Sequence, residues 1–281
     1  MSKNDVLLPR FDLRGKWALV TGGAGLLGKE HATALLQLGA NVLLWDINDN
    51  RLSKTADKLS KEFTSRSVIR DIVDITDEEA VSNAHQILDS QGISVSILIN
   101  NAAINPKYDS SNSNSPFSRV ENLTLDDWNH QLSVGLTGAF ICSKIFGSKM
   151  ASNKYGVILN IASDLSVISP DQRLYQVKGV ESNSQPVKPL TYSVIKSGLV
   201  GMTKYLATYW SADGVRVNAL SPGGVYEEQD KEFITRISNL IPLGRMAKSD
   251  EYRSAVQFLC SEASSYMTGQ NLVIDGGRSV W

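Results

Sequence analysis

Short, continuous apolar runs recur along this chain and alternate with longer stretches in which apolar residues follow a helical period. Such runs are typical of strands that are buried on both faces of a parallel sheet. The predicted strands cover residues 17–20, 41–45, 67–70, 95–99, 157–161, 215–220 and 271–274. Their alternation with helices predicts an α/β fold, with a seven-stranded parallel sheet and helices on both faces. Because we find no internal repeat and no Pro/Gly-rich linker, residues 1–281 are predicted to form a single domain.

Two stretches between the predicted strands have clear helical stripes. One stripe consists of Leu52, Ala56, Leu59 and Phe63, and the other of Ala80, Val81, Ala84, Ile87 and Leu88. Asp77 precedes the second stripe, with Ala80 as the third residue of the helix, so we expect its side chain to cap that helix.

Composition and charge exclude several classes of function. The net charge of −1 gives no basic field for nucleic acid, and no apolar run approaches the roughly 20 residues that cross a bilayer. Cys142 and Cys260 have no pairing or ligand spacing, which fits a reduced, cytoplasmic protein. The histidines, His31, His85 and His130, are scattered along the chain. We therefore expect no metal site and neither a nucleic-acid nor a membrane partner.

A glycine-rich turn directly follows the first predicted strand and opens a helix. It reads Thr21-Gly22-Gly23-Ala24-Gly25-Leu26-Leu27-Gly28. Glycines let the backbone approach a pyrophosphate, and the start of the helix offers it free N–H groups. This context favours dinucleotide binding over a tight turn without a ligand. The predicted cofactor contacts in this turn are Gly22, Gly25, Leu26, Leu27 and Gly28.

Asp46 comes directly after the second predicted strand. An acidic side chain at this position accepts a hydrogen bond from a ribose 2′-hydroxyl and repels a 2′-phosphate. Asp46 therefore predicts NAD rather than NADP as the cofactor. The alternative interpretation is a carboxylate in a solvated loop.

Tyr192 and Lys196 are four residues apart, which places them on one face of a helix. A free phenol, with a pKa near ~10, is a poor acid or base at neutral pH. A neighbouring ammonium favours the phenolate, so we expect Lys196 to lower the pKa of Tyr192. Taken alone, the pair also fits a solvated helix face.

Together with further motifs, these features closely resemble the short-chain dehydrogenase/reductase family over residues 13–277. The family's adenine-side acid matches Asp74, followed by Ile75, and its Asn-Asn-Ala-Gly turn matches Asn100-Asn101-Ala102-Ala103. Its catalytic serine matches Ser163 at the end of the fifth strand, and its turn beside nicotinamide matches Ser221-Pro222-Gly223-Gly224. The resemblance implies a Rossmann domain that binds NAD(P) and assembles as a homodimer or homotetramer. The further cofactor contacts that it implies are Asp74, Ile75, Asn101, Ala102, Ala103, Tyr192, Lys196, Pro222, Gly223 and Val225.

The resemblance also implies a catalytic set of Ser163, Tyr192 and Lys196. In this family's chemistry, Lys196 holds the nicotinamide ribose hydroxyls and lowers the pKa of Tyr192. Ser163 hydrogen bonds the substrate oxygen, and Tyr192 exchanges the proton of the alcohol as hydride moves to or from the nicotinamide.

Three positions depart from the family pattern. Leu26 stands where members of this length place the middle glycine of the turn. Gly135, in Val134-Gly135-Leu136-Thr137-Gly138, replaces a catalytic asparagine that also props a helix bend. Glycine can supply the bend, whereas the missing amide leaves three options: a water, compensation by Ser133 or Asn129, or a weaker proton relay. Glu227 stands after Val225-Tyr226 where a threonine near the carboxamide is usual.

Two polar stretches extend the minimal unit, at residues 108–119 and 169–189. Both are expected to emerge at the sheet edge where ligands bind in such folds. The first is interpreted equally well as a mobile surface loop or as a substrate contact. The second separates Ser163 from Tyr192 and is interpreted as a cover over the active site; a surface loop or an oligomer contact is the alternative. Its polar side chains favour hydroxyl, carboxylate or phosphate groups, and the predicted substrate contacts are Asp164, Arg173 and Tyr175.

The leading hypothesis is an NAD-dependent oxidoreductase that acts on a secondary alcohol or ketone of a polar, sugar-like small molecule. The insertion, the Gly135 segment and the Arg278-Ser279-Val280-Trp281 end also resemble oxidoreductases of bacterial surface-sugar pathways, such as flagellin modification. A second hypothesis is a 3-oxoacyl-thioester (acyl carrier protein) reductase, for which NADP would be expected. A third is a catalytically silent NAD-binding protein.

Overall fold

The computed structural model describes residues 8–104 and 119–281, and its centre is a single sheet of parallel strands. The strands are β1 (Trp17–Thr21), β2 (Asn41–Asp46), β3 (Val68–Ile72), β4 (Val95–Asn100), β5 (Gly156–Ile161), β6 (Val215–Pro222) and β7 (Asn271–Ile274). The sheet has seven strands in the order β3-β2-β1-β4-β5-β6-β7, and every neighbouring pair is parallel. The predicted Rossmann architecture is therefore confirmed, and each strand overlaps its predicted segment; β3, which has no continuous apolar run, extends two residues beyond its predicted end.

Helices cover both faces of the sheet. They are α1 (Leu26–Gln37), α2 (Asp49–Glu62), α3 (Glu78–Ser90), α4 (Leu125–Leu132), α5 (Gly138–Ser152), α6 (Leu190–Tyr209), α7 (Lys231–Ser238) and α8 (Arg253–Leu259). One apolar cluster joins α1, α2 and α8 to the sheet face that carries Val20 and Leu44. The other joins α3, α5 and α6 to the opposite face, which carries Leu19 and Leu43. Successive strand residues thus enter different cores, which explains why the strands are continuously apolar.

The cap of α3 agrees with its prediction. The Asp77 side chain accepts a hydrogen bond from the N–H of Ala80 at 3.0 Å.

The apolar stripe of α3 is buried only in part. Ile87, which the stripe placed on the buried face, is 56% exposed. Val81 and Leu88 are buried as expected, so the buried face of α3 is narrower than the sequence predicted.

The crossover direction of the chain reverses at β1, which pairs with β2 on one side and with β4 on the other. In sheets of this kind, ligands bind outside the carboxyl ends of the strands at such a reversal. Two hydrogen bonds tie the ends of β1 and β4 together. The N–H of Asn101 donates to Oγ1 of Thr21 at 3.0 Å, and the Asn101 amide donates to the Thr21 carbonyl at 2.9 Å.

The insertion at residues 169–189 lies between β5 and α6 and contains the short 3-10 helices Gln172–Tyr175 and Ser182–Ser184. Gln185 braces it from within. Its side chain accepts from the N–H of Val177 at 2.8 Å and donates to the carbonyls of Val177 and Val180 at 3.0 and 2.6 Å. The other predicted insertion, at residues 108–119, falls outside the described residues except for Arg119. Within the described part of the chain, no helix has the length and apolar character to span a membrane.

Candidate active site

The glycine turn is as compact as a phosphate-binding turn must be. Gly22 has φ +62°, and a Cβ on it would lie 2.8 Å from the Cα of Ala102. A Cβ on Gly28 would lie 2.2 Å from the carbonyl oxygen of Gly22, so only glycine fits at that position. Helix α1 begins at Leu26, with Gly25 as its N-cap. The first N–H groups of α1, from Leu26 to Gly28, have no carbonyl partner in the preceding turn of the helix. The turn therefore fits the pyrophosphate of a dinucleotide.

Asp46 lies directly behind this turn at the end of β2. One carboxylate oxygen accepts from the N–H of Ala24 at 3.1 Å, and the other accepts from the N–H of Asn48 at 3.0 Å. These bonds fix a negative charge beside the turn. The position is the one that a ribose-binding carboxylate would need.

The predicted adenine-side and β4 residues follow β3 and β4 at the carboxyl edge of the sheet. Asp74 Oδ1 accepts from the N–H and the hydroxyl of Thr76 at 2.9 and 2.8 Å, which fixes the loop after β3. Ile75 is buried, and it packs so closely on Gly138 that a Cβ there would lie 2.6 Å from its Cδ1. After Asn101, the N–H of Ala102 donates to the Thr21 hydroxyl at 3.1 Å, while Ala103 is exposed.

The turn after β6 reaches the same edge of the sheet. The N–H of Gly223, directly after Pro222, donates to the carbonyl of Ile274 at 2.8 Å. Val225 then forms a bridge to Ala247. Gln229 braces the segment in which Glu227 replaces the usual threonine. Its side chain accepts from the N–H of Glu227 and donates to the carbonyl of Val225, both at 2.8 Å.

The predicted catalytic residues meet although 192 − 163 = 29 positions separate the serine from the tyrosine. Ser163 is buried just after β5, and its hydroxyl donates to Oδ1 of Asp164 at 2.8 Å. Tyr192, in the first turn of α6, lies close enough to Ser163 for the serine hydroxyl to lower the pKa of its phenol. Lys196, one turn later, is buried and donates to the Ile161 carbonyl at 2.7 Å. Strand β5 and helix α6 thus hold the three side chains together.

The electrostatics of Tyr192 differ from the prediction. Burial raises the pKa of its phenol, the Ser163 hydroxyl lowers this pKa, and the Asp164 charge raises it. The pKa of Tyr192 is therefore raised, against the expectation that Lys196 lowers it; the Lys196 ammonium lies 5.6 Å from the ring centroid. Burial, reinforced by the charge of Lys188, lowers the pKa of Lys196 itself to about 8. Desolvation is the largest cause of the pKa shift at both groups.

Lys188 belongs to the predicted cover over the active site, but its contact with Tyr192 was not predicted from the sequence. Its ammonium lies 3.8 Å from the centroid of the Tyr192 ring, closer than that of Lys196. The sequence did contain a signal for it. Lys188 precedes Tyr192 by four residues and Lys196 follows it by four, so the tyrosine has a lysine one helical turn away on either side.

The predicted substrate residues occupy two different places. Asp164 is buried and forms an ion pair with Arg278 at 2.7 Å, in which the side chains are 5% and 7% exposed. Tyr175 lies close enough to Tyr192, Asp164 and Arg278 for their charges to act on it, and burial raises its pKa to about 12. Arg173, by contrast, pairs with Asp171 and is 80% exposed, outside the catalytic cluster. The role of Arg278 had no local signal in the sequence, because its partner lies 114 positions away.

Gly135 lies in a π-helical turn, Ser133–Thr137, which joins α4 to α5. The bend is therefore present without the usual asparagine. A Cβ at Gly135 would lie 2.7 Å from Cγ2 of Ile195, so the close approach of α6 requires glycine here. The Ser133 hydroxyl donates to the carbonyl of His130 at 2.7 Å, within its own helix, and Asn129 is exposed. Neither contact supports compensation for the missing amide.

A glycine turn at the reversal of a parallel sheet, beside a Ser-Tyr-Lys cluster, defines the class of dinucleotide-dependent oxidoreductases. A family model described as enoyl-(acyl carrier protein) reductase matches residues 24–279. D-threitol dehydrogenase of Mycolicibacterium smegmatis is 31% identical over 96% of this chain and 95% of its own length. The 3-oxoacyl-[acyl-carrier-protein] reductase FabG of Aquifex aeolicus is 30% identical over 94% of this chain and 98% of its own length.

Two solved structures share the fold over almost their whole length. A gluconate 5-dehydrogenase from Burkholderia cenocepacia in complex with NADP and tartrate has a TM-score of 0.82 and 25% identity, over 97% of this chain and 98% of that one. A short-chain dehydrogenase from Leptospira borgpetersenii with bound NAD+ has a TM-score of 0.80 and 29% identity, over 98% and 96%. The chain belongs to the short-chain dehydrogenase/reductase family. It is an NAD(P)-dependent oxidoreductase of alcohol and carbonyl groups.

In the described parts of the chain, no three His, Cys, Asp or Glu side chains cluster in a way that could hold a metal ion. The side chains of the described site offer hydrogen bonding and proton transfer, next to a cradle for a dinucleotide.

Proposed function

We propose that this protein transfers hydride between NAD and a secondary alcohol or ketone of a polar, sugar-like small molecule. The observation that carries the proposal is the meeting of Ser163, Tyr192 and Lys196 at the carboxyl edge of the sheet, beside the glycine turn. When bound, the nicotinamide supplies the hydride acceptor or donor. The side chains of the protein supply the proton transfer and the orientation.

In this mechanism Tyr192 takes the hydroxyl proton of the alcohol during oxidation and returns a proton during reduction. Ser163 hydrogen bonds the reacting oxygen and holds it within reach of the phenol. Lys196 holds the ribose hydroxyls of the cofactor and adds positive charge beside the phenolate. Asp164 and Arg278 keep Ser163 in place, because the carboxylate accepts from the serine hydroxyl and is anchored by the guanidinium.

Asp46 supports NAD over NADP as the cofactor. Its carboxylate is fixed beside the glycine turn, where it would accept from a ribose 2′-hydroxyl and repel a 2′-phosphate. Gly22, Gly25, Leu26, Leu27 and Gly28 would hold the pyrophosphate, and the contacts from Asp74 to Val225 predicted above would complete the cofactor site.

The insertion at residues 169–189 supports a polar substrate. It brings Tyr175 next to Tyr192 and Asp164, and it ends in Lys188 on the tyrosine ring. We infer that it covers the substrate and offers polar groups to hydroxyl or carboxylate substituents. The names of relatives such as D-threitol dehydrogenase and gluconate 5-dehydrogenase support this substrate class. The link to surface-sugar pathways stays a hypothesis that rests on resemblance alone.

We also infer a cytoplasmic homodimer or homotetramer that uses α4, α5 and α6 as an interface. Phe140 on α5 is 49% exposed, and Tyr205 and Tyr209 on α6 are 66% and 64% exposed and stack at 5.9 Å. Large exposed aromatic side chains on adjacent helices are typical of protein interfaces. Burial raises the pKa of Cys142 and Cys260 to about 12, which fits reduced, unreactive thiols.

A 3-oxoacyl-thioester reductase is the second candidate, because FabG of Aquifex aeolicus is almost as similar as the polyol enzyme. The deciding experiment is a screen of polyols, sugar acids and their ketones, with a 3-oxoacyl thioester as the alternative substrate. Each is offered with NAD(H) and with NADP(H), and the absorbance of the reduced cofactor is followed. We expect turnover of a polyol or sugar acid with NAD(H). Turnover of the thioester alone, with NADPH, would establish the second candidate, and cofactor binding without any turnover would favour a silent binding protein.

A further inference from the structure

The insertion at residues 169–189 delivers a lysine to the catalytic tyrosine. Helix α6 begins at Leu190 with Pro189 as its N-cap, so Lys188 is the last residue before the cap. The N–H of Lys188 donates to Oε1 of Gln172 at 2.8 Å, which anchors its backbone to the opposite end of the insertion. The position of Lys188 is therefore set by the insertion as well as by α6.

The Lys188 ammonium lies over the face of the Tyr192 ring, 3.8 Å from its centroid, whereas the Lys196 ammonium lies at 5.6 Å. A cation within about 6 Å of an aromatic face is attracted to the ring. The attraction is stronger when the phenol has lost its proton, because the ring then carries a negative charge. Burial lowers the pKa of Lys188 to about 8, so its ammonium is charged at neutral pH.

Polar and charged side chains from several elements lie around Tyr192. Ser163 and Asp164 come from the end of β5, Lys196 from α6 itself, and Tyr175 and Lys188 from the insertion. Arg278, from the C-terminal turn, forms the ion pair with Asp164. The negative charge of Asp164 near Tyr192 is therefore paired with Arg278, and two lysine ammonium groups lie near the ring.

We propose that Lys188 is a positioning residue whose ammonium, on the ring face of Tyr192, stabilises the negative phenolate during proton transfer. The proposal rests on the proposed function and goes beyond the Ser-Tyr-Lys set. In alcohol oxidation the O–H bond of the substrate breaks and that of Tyr192 forms, while the substrate carbon loses its hydride to the nicotinamide. Lys188 neither gains nor loses a proton; its charge favours the form of Tyr192 that accepts one.

The test compares Lys188→Met with Lys188→Arg, and with Lys178→Met as a matched control that removes an exposed charge from the same insertion. Loss of the cation raises the pKa of Tyr192, because the neutral phenol is then favoured. In Lys188→Met, the rising limb of the pH profile of kcat for alcohol oxidation should move about one pH unit towards alkaline pH. At pH values below this limb, kcat should therefore fall by about tenfold. Lys188→Arg should restore most of this loss, and Lys178→Met should match the wild type. NADH affinity should stay unchanged in all three variants.

A second readout needs no substrate. Tyrosinate absorbance is titrated in the wild type and in Lys188→Met. For each of the two proteins, the same titration is repeated after Tyr192→Phe is added, so that the difference between the two curves reports Tyr192 alone. A shift in this titration without any turnover would support the role of Lys188 and contradict the proposed function. A kcat profile that does not move in Lys188→Met, or one that moves equally in Lys188→Arg, would overturn the proposal.

Discussion

Opposing influences act on the pKa of Tyr192, and burial, which raises it, is the largest of them. A buried phenol resists losing its proton, so catalysis needs positive charge that is fixed before the substrate arrives. Lys196, which follows Tyr192 on α6, and Lys188, which precedes α6 in the insertion, are placed to supply that charge. The geometry therefore assigns the stabilisation of the Tyr192 phenolate to two lysines, whereas the family pattern alone indicates one.

At Asp46 we predict a change in cofactor preference. Asp46→Ala removes both the acceptor for a ribose hydroxyl and the repulsion of a 2′-phosphate, so NADH should bind more weakly and NADPH more tightly. The ratio of the two affinities should change by about tenfold or more, measured by fluorescence titration. Asp57→Ala, which removes an exposed charge from α2, is the control and should leave the ratio unchanged. A wild-type ratio in Asp46→Ala would remove the argument for NAD.

At the residue level, the sequence could place residues that belong to a local motif, but not residues whose partners are distant along the chain. Ser163 and Asn101 were placed by motifs of the family that stand at the ends of β5 and β4, whereas the apolar runs alone would leave Ser163 as an ordinary turn serine. Arg278 could not be placed in this way, because its contact with Asp164 depends on how the last turn of the chain packs. Lys188 had a spacing signal, which became informative only once the insertion was seen to end against α6.

At the level of elements, the strands and α3 were predictable because their stability comes from local patterns, continuous apolar runs and a capping Asp77. The 3-10 helices of the insertion were not predicted. They depend on Gln185, whose side chain bonds the backbone at Val177 and Val180 in a way that no periodicity encodes. The sequence predicted the bend at Gly135, which the structure forms as a π-helical turn. It did not predict the close contact of Gly135 with Ile195 on α6.

The C-terminal turn offers a prediction about stability. Arg278→Met leaves the Asp164 carboxylate buried without its partner, which should lower the free energy of unfolding by about 3–5 kcal/mol. Arg173→Met is a matched control, since its ion pair with Asp171 has the same 2.7 Å distance but is exposed to water. Urea denaturation should find that control close to the wild type. Equal stability losses in the two variants would contradict the account of a buried, anchoring pair.

At the level of the whole molecule, the sheet separates two apolar cores, and α1 contributes a fully buried histidine. Both ring nitrogens of His31 lack a hydrogen-bond partner among the described residues. Burial lowers the pKa of His31 to about 3, so the folded protein holds this ring neutral where the unfolded chain protonates it near its ordinary pKa of 6.5. The folded state therefore loses stability as the pH falls below 6.5, because only the unfolded state then takes up the proton.

This linkage predicts an acid-dependent loss of stability due to one side chain. Between pH 7 and pH 5, His31 should account for about 2 kcal/mol of the fall in unfolding free energy. His31→Leu, which fills a similar volume without a titrating group, should show a correspondingly shallower pH dependence. Urea denaturation of both proteins at the two pH values measures the difference. Parallel pH dependences would show that His31 is not buried as a neutral ring.

The central claim is that Tyr192 transfers the proton in an NAD-dependent reaction, and the most direct test is the turnover of Tyr192→Phe. The variant keeps the ring and removes the hydroxyl, so kcat should fall by at least about a hundredfold while NADH binding stays near normal. Tyr205→Phe, on the exposed face of the same helix, should keep full activity. A Tyr192→Phe enzyme that turns over at the wild-type rate would contradict the account.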